Sequence, residues 1–287
     1  MTLHVDVHGS GAPLVLLHGW GMHSGIWDTI VPQLAPHVRV HCVDLPGHGY
    51  SKLPSPVYGR GAGEEGAIDE HSLPPLVQPL TPTLSCLWVE QLDVIVDELS
   101  AQFDGPLNVC GWSLGGLVAL RWARRVPRQV KRLVLVASTP CFTERQDWPF
   151  GMGAETLRQF AAELERDHAA TLRRFLALQL RGSANERELL ADVRSRLFIR
   201  GEPDINALRA GLEILRDADL RGDLSAIRQP SLLIAGNRDK LTPSSASVHM
   251  AQKLPDARLV EIDDAAHVPF LSHPEIFVTE IADFLHG

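Results

Sequence analysis

Long apolar runs are missing from this 287-residue sequence. A helix that crosses a bilayer needs about 20 consecutive, mostly apolar residues, and no segment here approaches that length. The first residues also lack the basic region and apolar region that mark a secretory signal. We therefore expect a soluble, cytoplasmic protein that does not bind membranes.

Cysteine and net positive charge are also scarce. The four cysteines are scattered and form no C-x-x-C pair, so we expect buried free thiols and neither a disulfide framework nor a metal site. The net charge of −8 argues against general binding to nucleic acid, because phosphate recognition needs a basic surface. The composition, with 45% hydrophobic and 22% charged residues, is that of an ordinary globular protein.

Short apolar segments alternate with helical segments along most of the chain. Strands are predicted over 3–7, 13–17, 38–43, 106–110, 132–137, 231–235 and 258–262. Helices are predicted over 26–34, 84–99 and 276–285, and another helix is predicted around Leu117 and Leu120. Strands that are apolar throughout indicate a parallel sheet covered by helices on both faces. Segment 54–83 interrupts this pattern, and its proline and glycine content predicts a long surface loop.

The alternation of strand and helix stops between residues 142 and 224. This region has helical stretches at 154–168, 170–180 and 186–197 and no convincing strand. We therefore expect a helical lid inserted into an α/β core formed by 1–141 and 225–287. Large apolar side chains in the lid, such as Phe160 and Phe175, either line an acyl pocket or only pack the lid onto the core.

The segment at 109–116, VCGWSLGG, contains the pattern G-x-S-x-G between an apolar strand and a helix. The glycines on either side of Ser113 are needed because the turn is too tight for side chains at those positions. Such a turn exposes the serine at the end of the strand. The segment therefore predicts a nucleophile elbow.

Ser113, Asp239 and His267 each follow a predicted strand. In an open parallel sheet those strand ends share one edge, so the three residues are expected to converge there. A neutral serine hydroxyl is a poor nucleophile, so His267 would accept its proton and Asp239 would hold the imidazole. The sequence therefore predicts a catalytic triad, in the chain order typical of α/β-hydrolases.

Two loops at the same edge contain further candidates. The backbone N–H of Trp20, after His18-Gly19, is a candidate donor to a developing oxyanion. The alternative is a simple strand-to-helix turn in which His18 is a satisfied structural group. Asp44 could be mistaken for the catalytic acid, but we expect it to accept hydrogen bonds from backbone N–H groups of the glycine-rich turn at 44–51.

Arginine is concentrated in one part of the expected lid. Between Thr171 and Arg200 the sequence has seven arginines and three acidic residues. This local excess of positive charge would steer an acidic partner to the lid. A solvated helix face is the alternative for any single arginine.

These motifs resemble those of the α/β-hydrolases and, more narrowly, those of the biotin-synthesis esterases that act on methyl esters linked to acyl-carrier protein. The elbow and the segment LLHGWG at 16–21 are widespread in α/β-hydrolases. The lid segments at 148–149, 175–179 and 211–215 are much more typical of the narrower family. The resemblance covers nearly the whole chain except 54–83, which looks like an insertion of unassigned role.

The resemblance implies hydrolysis of the methyl ester at the far end of a pimeloyl chain carried on acyl-carrier protein. It implies an oxyanion hole formed by the N–H groups of Trp20 and Leu114, with no metal and no cofactor. A monomer is expected. The implied substrate contacts are Trp20, Ser113, Leu114, Phe175, Leu176, Ala177, Leu178, Gln179 and His267, and the implied carrier-docking residues are Arg174, Arg181 and Arg187.

Two other functions remain open at this point. A broad short-chain carboxylesterase, a thioesterase or a cofactor-free perhydrolase would carry the same triad. A binding protein of the same fold could retain the pocket without turnover. Haloalkane and epoxide hydrolases of this fold use an aspartate nucleophile, so Ser113 argues against them.

Overall fold

A seven-stranded, mostly parallel sheet lies at the centre of the protein. The structure, a computed structural model, describes residues 3–53, 87–183 and 185–287. The strands are β1 (Val5–His8), β2 (Pro13–Leu17), β3 (Arg39–Val43), β4 (Leu107–Trp112), β5 (Val130–Val136), β6 (Ser231–Gly236) and β7 (Ala257–Ile262). They are ordered β1-β3-β2-β4-β5-β6-β7. Strand β1 runs antiparallel to β3 and the other neighbours are parallel, which confirms the predicted sheet.

The burial of each strand explains its sequence. Strands β4 and β6 are buried along their whole length, and β2 is buried after its first residue. Apart from Asn108 and Ser231 they are apolar, because helices cover both faces of a parallel sheet. The edge strands β1 and β7 are only partly buried and mix polar with apolar residues.

Helices follow most of the strands. The α-helices are α1 (Val31–Leu34), α2 (Leu87–Gln102), α3 (Leu114–Arg125), α4 (Ala154–Arg166), α5 (His168–Leu180), α6 (Glu186–Arg196), α7 (Ile205–Asp217), α8 (Ser244–Lys253), α9 (Pro269–Ser272) and α10 (Pro274–His286). Short 3₁₀ helices cover Ser24–Trp27 and Arg221–Ala226.

The prediction of one continuous helix over 26–34 is wrong. The structure divides it into the 3₁₀ helix Ser24–Trp27 and the four-residue α1. Pro32 lies in the first turn of α1, a position where the missing N–H of proline leaves no intrahelical bond unmade. A proline further inside a helix would break it, so α1 begins only at Val31.

Helices α4 to α7, called the helical insertion below, lie between β5 and β6. Helix α7 is not among the helices predicted from the sequence. Its signals are present, because Asp204 accepts a hydrogen bond from the Asn206 N–H at the helix start and Leu208, Leu212 and Leu215 are buried on one face. Helix α7 packs on α2, and Gln91 of α2 donates to Glu213 of α7 at 2.8 Å.

Several other expectations concern single residues or segments. Cys42, Cys110 and Cys141 are free and buried, as predicted. The fourth cysteine, Cys86, and the surface loop expected at 54–83 lie outside the described residues. Among the helices that the structure describes, none is both long enough and apolar enough to cross a bilayer.

Candidate active site

The turn from β4 to α3 has the geometry of the predicted nucleophile elbow. Ser113 has φ 56° and ψ −118°, a strained conformation for a residue with a side chain. A Cβ on Gly111 would lie 2.2 Å from the carbonyl oxygen of Gly115, and one on Gly115 would lie 2.4 Å from that of Leu17. Both glycines are therefore required by close packing of backbone, which lets the turn hold Ser113 at the end of β4.

The side chains of Ser113, Asp239 and His267 meet at the carboxyl edge of the sheet. Nε2 of His267 lies 2.9 Å from Oγ of Ser113, and Nδ1 of His267 lies 2.8 Å from Oδ2 of Asp239. The three residues follow β4, β6 and β7, whose parallel alignment places their ends together. All three are buried, so the two hydrogen bonds are shielded from water.

The carboxylate of Asp239 is held by its own turn. Its Oδ1 accepts hydrogen bonds from the backbone N–H groups of Leu241 at 2.8 Å and Thr242 at 3.0 Å. The hydroxyl of Thr242 donates to Oδ2 at 2.6 Å and lies 3.3 Å from Nδ1 of His267. Thr242 was not among the predicted site residues. The spacing in the sequence could have indicated it, because Thr242 is three residues after Asp239. An aspartate in a turn typically accepts hydrogen bonds from backbone N–H groups two and three residues ahead.

The loop that carries His267 is fixed from two sides. The indole N–H of Trp112 donates to the carbonyl oxygen of His267 at 2.8 Å. The backbone N–H of His267 donates to the carbonyl oxygen of Gln179 at 3.2 Å. Trp112 belongs to the sheet, whereas Gln179 belongs to α5 of the helical insertion. The histidine loop is therefore bonded to both parts of the molecule.

The loop after β2 passes beside Ser113. A Cβ on Gly19 would lie 3.2 Å from the Cβ of Ser113. Leu114 is the first residue of α3, so its N–H has no acceptor within the helix and lies where the helix dipole favours negative charge. Trp20 is buried, and its indole N–H donates to the carbonyl oxygen of Leu208 in α7 at 2.9 Å. The two predicted oxyanion donors thus flank the elbow.

His18 and Asp44 are both buried beside this loop. Oδ1 of Asp44 accepts from the Ser24 N–H at 2.7 Å, and Oδ2 accepts from the Tyr50 N–H at 2.9 Å. Burial raises the pKa of Asp44, but these backbone hydrogen bonds outweigh it and hold the pKa below its ordinary value. This confirms the expectation that Asp44 stabilises the turn. Both ring nitrogens of His18 have partners, the Gly19 carbonyl oxygen and the Leu45 N–H.

The predicted substrate segment 175–179 is divided between two faces of α5. Phe175 contacts the ring of Trp20 edge-on at 4.9 Å between centroids, and Gln179 is bonded to the His267 loop. Leu176 is buried on the same side of the helix. Ala177 and Leu178 instead line a groove of about 430 Å³, whose other lining residues are Thr156, Phe160, Arg174, Arg181 and Glu186.

The arginines between 171 and 200 occupy different environments. Arg174, Arg181 and Arg187 are exposed, and Arg174 pairs with Glu163. Arg200 instead points into the chain, where it bonds Asp6 at 2.7 Å and Asp44 at 3.5 Å. The positive surface of the insertion is therefore smaller than the sequence count suggested.

Comparison with known proteins identifies the protein family of this chain. A family model described as alpha/beta hydrolase fold matches residues 12–274, so the chain belongs to the α/β-hydrolase family. Solved structures agree in fold. An esterase from Exiguobacterium antarcticum matches with a TM-score of 0.77 at 20% identity over 99% of this chain and 96% of its own. A bromoperoxidase from Bacillus anthracis matches with a TM-score of 0.81 at 20% identity over 99% and 95%.

Curated relatives narrow the class. Proteins named pimeloyl-[acyl-carrier protein] methyl ester esterase are 43% identical in Nitrosomonas europaea, over 97% of this chain and 97% of the relative. The relative of that name in Nitrosospira multiformis is 40% identical over 99% and 98%. The one in Chromobacterium violaceum is 38% identical over 99% and 98%. The chain is a member of this esterase family, and it is a carboxylic ester hydrolase.

Proposed function

We propose that this esterase hydrolyses the methyl ester of pimeloyl-acyl-carrier protein to pimeloyl-acyl-carrier protein and methanol, in biotin synthesis. The observation that carries the proposal is the continuous hydrogen-bonded line from Ser113 through His267 to Asp239, with distances of 2.9 and 2.8 Å. The identity of the substrate is inferred from the names of relatives that are 38–43% identical over almost the whole chain.

The acylation step uses the three side chains in these roles. Nε2 of His267 accepts the proton of the Ser113 hydroxyl while Oγ attacks the ester carbonyl. Asp239 accepts the Nδ1–H hydrogen bond, which fixes the tautomer and stabilises the imidazolium that forms. His267 then gives its proton to the leaving methoxide. The products are methanol and an acyl-enzyme ester on Ser113.

The negative oxygen of each tetrahedral intermediate requires donors that are already in place. The N–H groups of Trp20 and Leu114 are assigned this role because their residues flank the elbow. Removing one such donor in other serine hydrolases costs about 10²–10³ in kcat. In deacylation a water molecule takes the place of the hydroxyl, gives its proton to His267 and attacks the acyl-enzyme. The bond from Oγ of Ser113 to the acyl carbon then breaks, Oγ takes the proton back from His267, and pimeloyl-acyl-carrier protein is released.

The substrate chain is assigned to the inner face of α5. Phe175 and Gln179 lie on this face, close to Trp20 and His267. Oε1 of Gln179 is buried and has no hydrogen-bond partner among the described residues. A buried amide oxygen without a partner costs about 1–3 kcal/mol. A substrate donor or a water that comes with it would recover part of that cost, which supports Gln179 as a contact.

Carrier docking is assigned to the outer face of the helical insertion, which then acts as the lid. Arg174 and Arg181 border the groove that Ala177 and Leu178 line, and Arg187 is exposed nearby on α6. An acidic carrier protein would be attracted by these charges. The triad is complete within one chain, which supports a monomer. The net charge of −8 disfavours binding of nucleic acid. We place the enzyme in the cytoplasm, together with its carrier.

The test compares pimeloyl-acyl-carrier protein methyl ester with p-nitrophenyl butyrate and follows the carrier by mass spectrometry. We expect loss of one methyl group with the thioester intact, and no turnover of either ester by Ser113→Ala. Hydrolysis of the butyrate alone would replace the proposal with a general short-chain esterase. Turnover of neither ester by the folded wild-type chain would indicate a binding protein.

A further inference from the structure

The imidazole of His18 makes two hydrogen bonds with backbone, and together they define its tautomer. Nε2 accepts a hydrogen bond from the Leu45 N–H at 3.0 Å, so this nitrogen carries no proton. The proton of the neutral ring is therefore on Nδ1. Nδ1 lies 2.8 Å from the carbonyl oxygen of Gly19 and donates to it. This carbonyl belongs to the peptide that links Gly19 to Trp20.

We propose that His18 is a positioning residue for the oxyanion hole. In a trans peptide the C=O and the N–H point to opposite sides of the peptide axis. By holding the Gly19 carbonyl on its own side, His18 turns the Trp20 N–H away from itself and toward the oxygen of a substrate bound at Ser113. This inference rests on the proposed function, which assigns the Trp20 N–H as a donor.

The surroundings of the peptide support this role. The Cα of Gly19 faces Ser113, since a Cβ built on it would lie 3.2 Å from the Cβ of Ser113. The indole of Trp20 is bonded to Leu208 of α7 at 2.9 Å. The Met22 N–H also donates to the Gly19 carbonyl oxygen, at a longer 3.3 Å. The Gly19 carbonyl oxygen thus accepts from two donors, Nδ1–H of His18 and the Met22 N–H. Rotation of the peptide would break the shorter bond, the one from His18.

The charge state of His18 suits a fixed donor. The ring is fully buried, and burial lowers its pKa to about 3. The titratable groups that face it are His48, at 5.2 Å between ring centroids, His23 and Asp44. The ring is therefore neutral at ordinary assay pH and keeps one donor and one acceptor. A protonated ring would lose its bond from the Leu45 N–H.

Two substitutions separate the two hydrogen bonds. In His18→Asn the side-chain amide nitrogen takes the place of Nδ1, so the donor to Gly19 is kept and the acceptor for Leu45 is lost. In His18→Gln the amide oxygen reaches the place of Nε2, so the acceptor is kept and the donor is lost. A role that is only structural predicts similar kinetics for both variants. A positioning role predicts that only the glutamine variant loses turnover.

The measurement is steady-state hydrolysis of p-nitrophenyl butyrate, with a trifluoromethyl ketone as transition-state analogue. We expect His18→Gln to lower kcat about 10- to 100-fold, less than full removal of a donor, with KM little changed. The inhibition constant of the ketone should rise by the same factor, because the analogue binds more weakly. His18→Asn should keep kcat within about threefold of wild type, although its melting temperature falls because a buried N–H is left unpaired. His48→Gln is the control for loss of a buried imidazole.

Three results would overturn the inference. The first is a folded His18→Gln with wild-type kcat. The second is a folded His18→Asn whose kcat falls about 10-fold or more below wild type, and this result decides the matter even if His18→Gln does not fold. The third is an equal loss in His48→Gln. Since the butyrate assay does not involve the carrier, failure of the wild type on the carrier-linked ester would refute the proposed substrate without affecting this test.

Discussion

Gly211 of α7 offers a sharp test of how the helical insertion supports the site. Its substitution by alanine would place a methyl group 2.5 Å from Cδ1 and 3.0 Å from Nε1 of Trp20. Carbon atoms pack best at about 3.5–4.0 Å, so the indole must retreat by about 1 Å. The retreat is opposed by the bond from Nε1 to Leu208 at 2.9 Å and by Phe175 at 4.9 Å between ring centroids.

The expected effects on stability and on activity differ in size. Alanine is favoured over glycine inside a helix by about 1 kcal/mol, whereas overpacking a core costs about 1–3 kcal/mol. The free energy of unfolding should therefore fall by about 0–2 kcal/mol, measured by urea titration. A displacement of about 1 Å near reacting groups can cost up to about 10²-fold in rate. We expect kcat for p-nitrophenyl butyrate to fall about 10- to 100-fold in Gly211→Ala.

The matched control is Gly222→Ala, because a Cβ at that exposed position meets no atom within 4 Å. We expect it to keep wild-type kcat and stability. A folded Gly211→Ala with wild-type kcat would refute the reasoning, since the clash would then be relieved without moving the Trp20 loop. A stability loss without any kinetic loss would show that α7 only packs on Trp20.

Three further predictions concern other contacts. Thr242→Val removes the 2.6 Å donor to Asp239 and should lower kcat about 10-fold with little change in KM, measured with p-nitrophenyl butyrate. Reversal of both Arg174 and Arg181 to glutamate should raise KM about 10-fold, or about 1.4 kcal/mol, for the carrier-linked ester only, because both arginines border the same groove. Burial lowers the pKa of His18 from 6.5 to about 3, so the unfolded chain binds more protons than the native chain between these values. Urea titrations should therefore show stability falling as pH drops below about 6.5, with a shallower fall in His18→Asn.

Each of these predictions has a result that contradicts it. Thr242→Ser restores the hydroxyl and should recover kcat; no recovery would mean that the methyl group matters instead. Arg228→Glu reverses an exposed charge just before β6 and should leave KM unchanged. If it raised KM as much as the reversal of Arg174 and Arg181, the effect would come from net charge alone. Equal pH slopes in wild type and His18→Asn would assign the titration to other groups.

The parts of the fold that follow from local sequence were predicted well. Strand β2 was predicted with its bounds, because a buried parallel strand is apolar along its whole length. The triad was predicted from chain order and strand ends, since parallel strands bring their carboxyl ends together. Each strand, with the residue that follows it, is a signal within a few neighbouring residues, and the convergence of the three residues then follows from the parallel sheet.

Contacts between distant segments were not predictable in the same way. Arg200 was counted with the surface charges, but it bonds Asp6 in β1 and Asp44 just after β3. Helix α7 was not predicted although its cap and its apolar face are local signals; its packing on α2 and, through Gly211, on Trp20 joins segments that are far apart in the sequence. The division of 175–179 follows from the helical period, which places Phe175 and Gln179 on one face and Ala177 and Leu178 on another.

The hydrogen bond from the His267 N–H to the Gln179 carbonyl oxygen links the position of the helical insertion to the position of the general base. The triad is buried, so a substrate reaches Ser113 only when something that covers it moves. If α5 moves, the same displacement removes an anchor of the general base. Alignment of His267 therefore depends on α5 being in the position that the structure shows. The position of α5 thus couples access to Ser113 with the alignment of the general base.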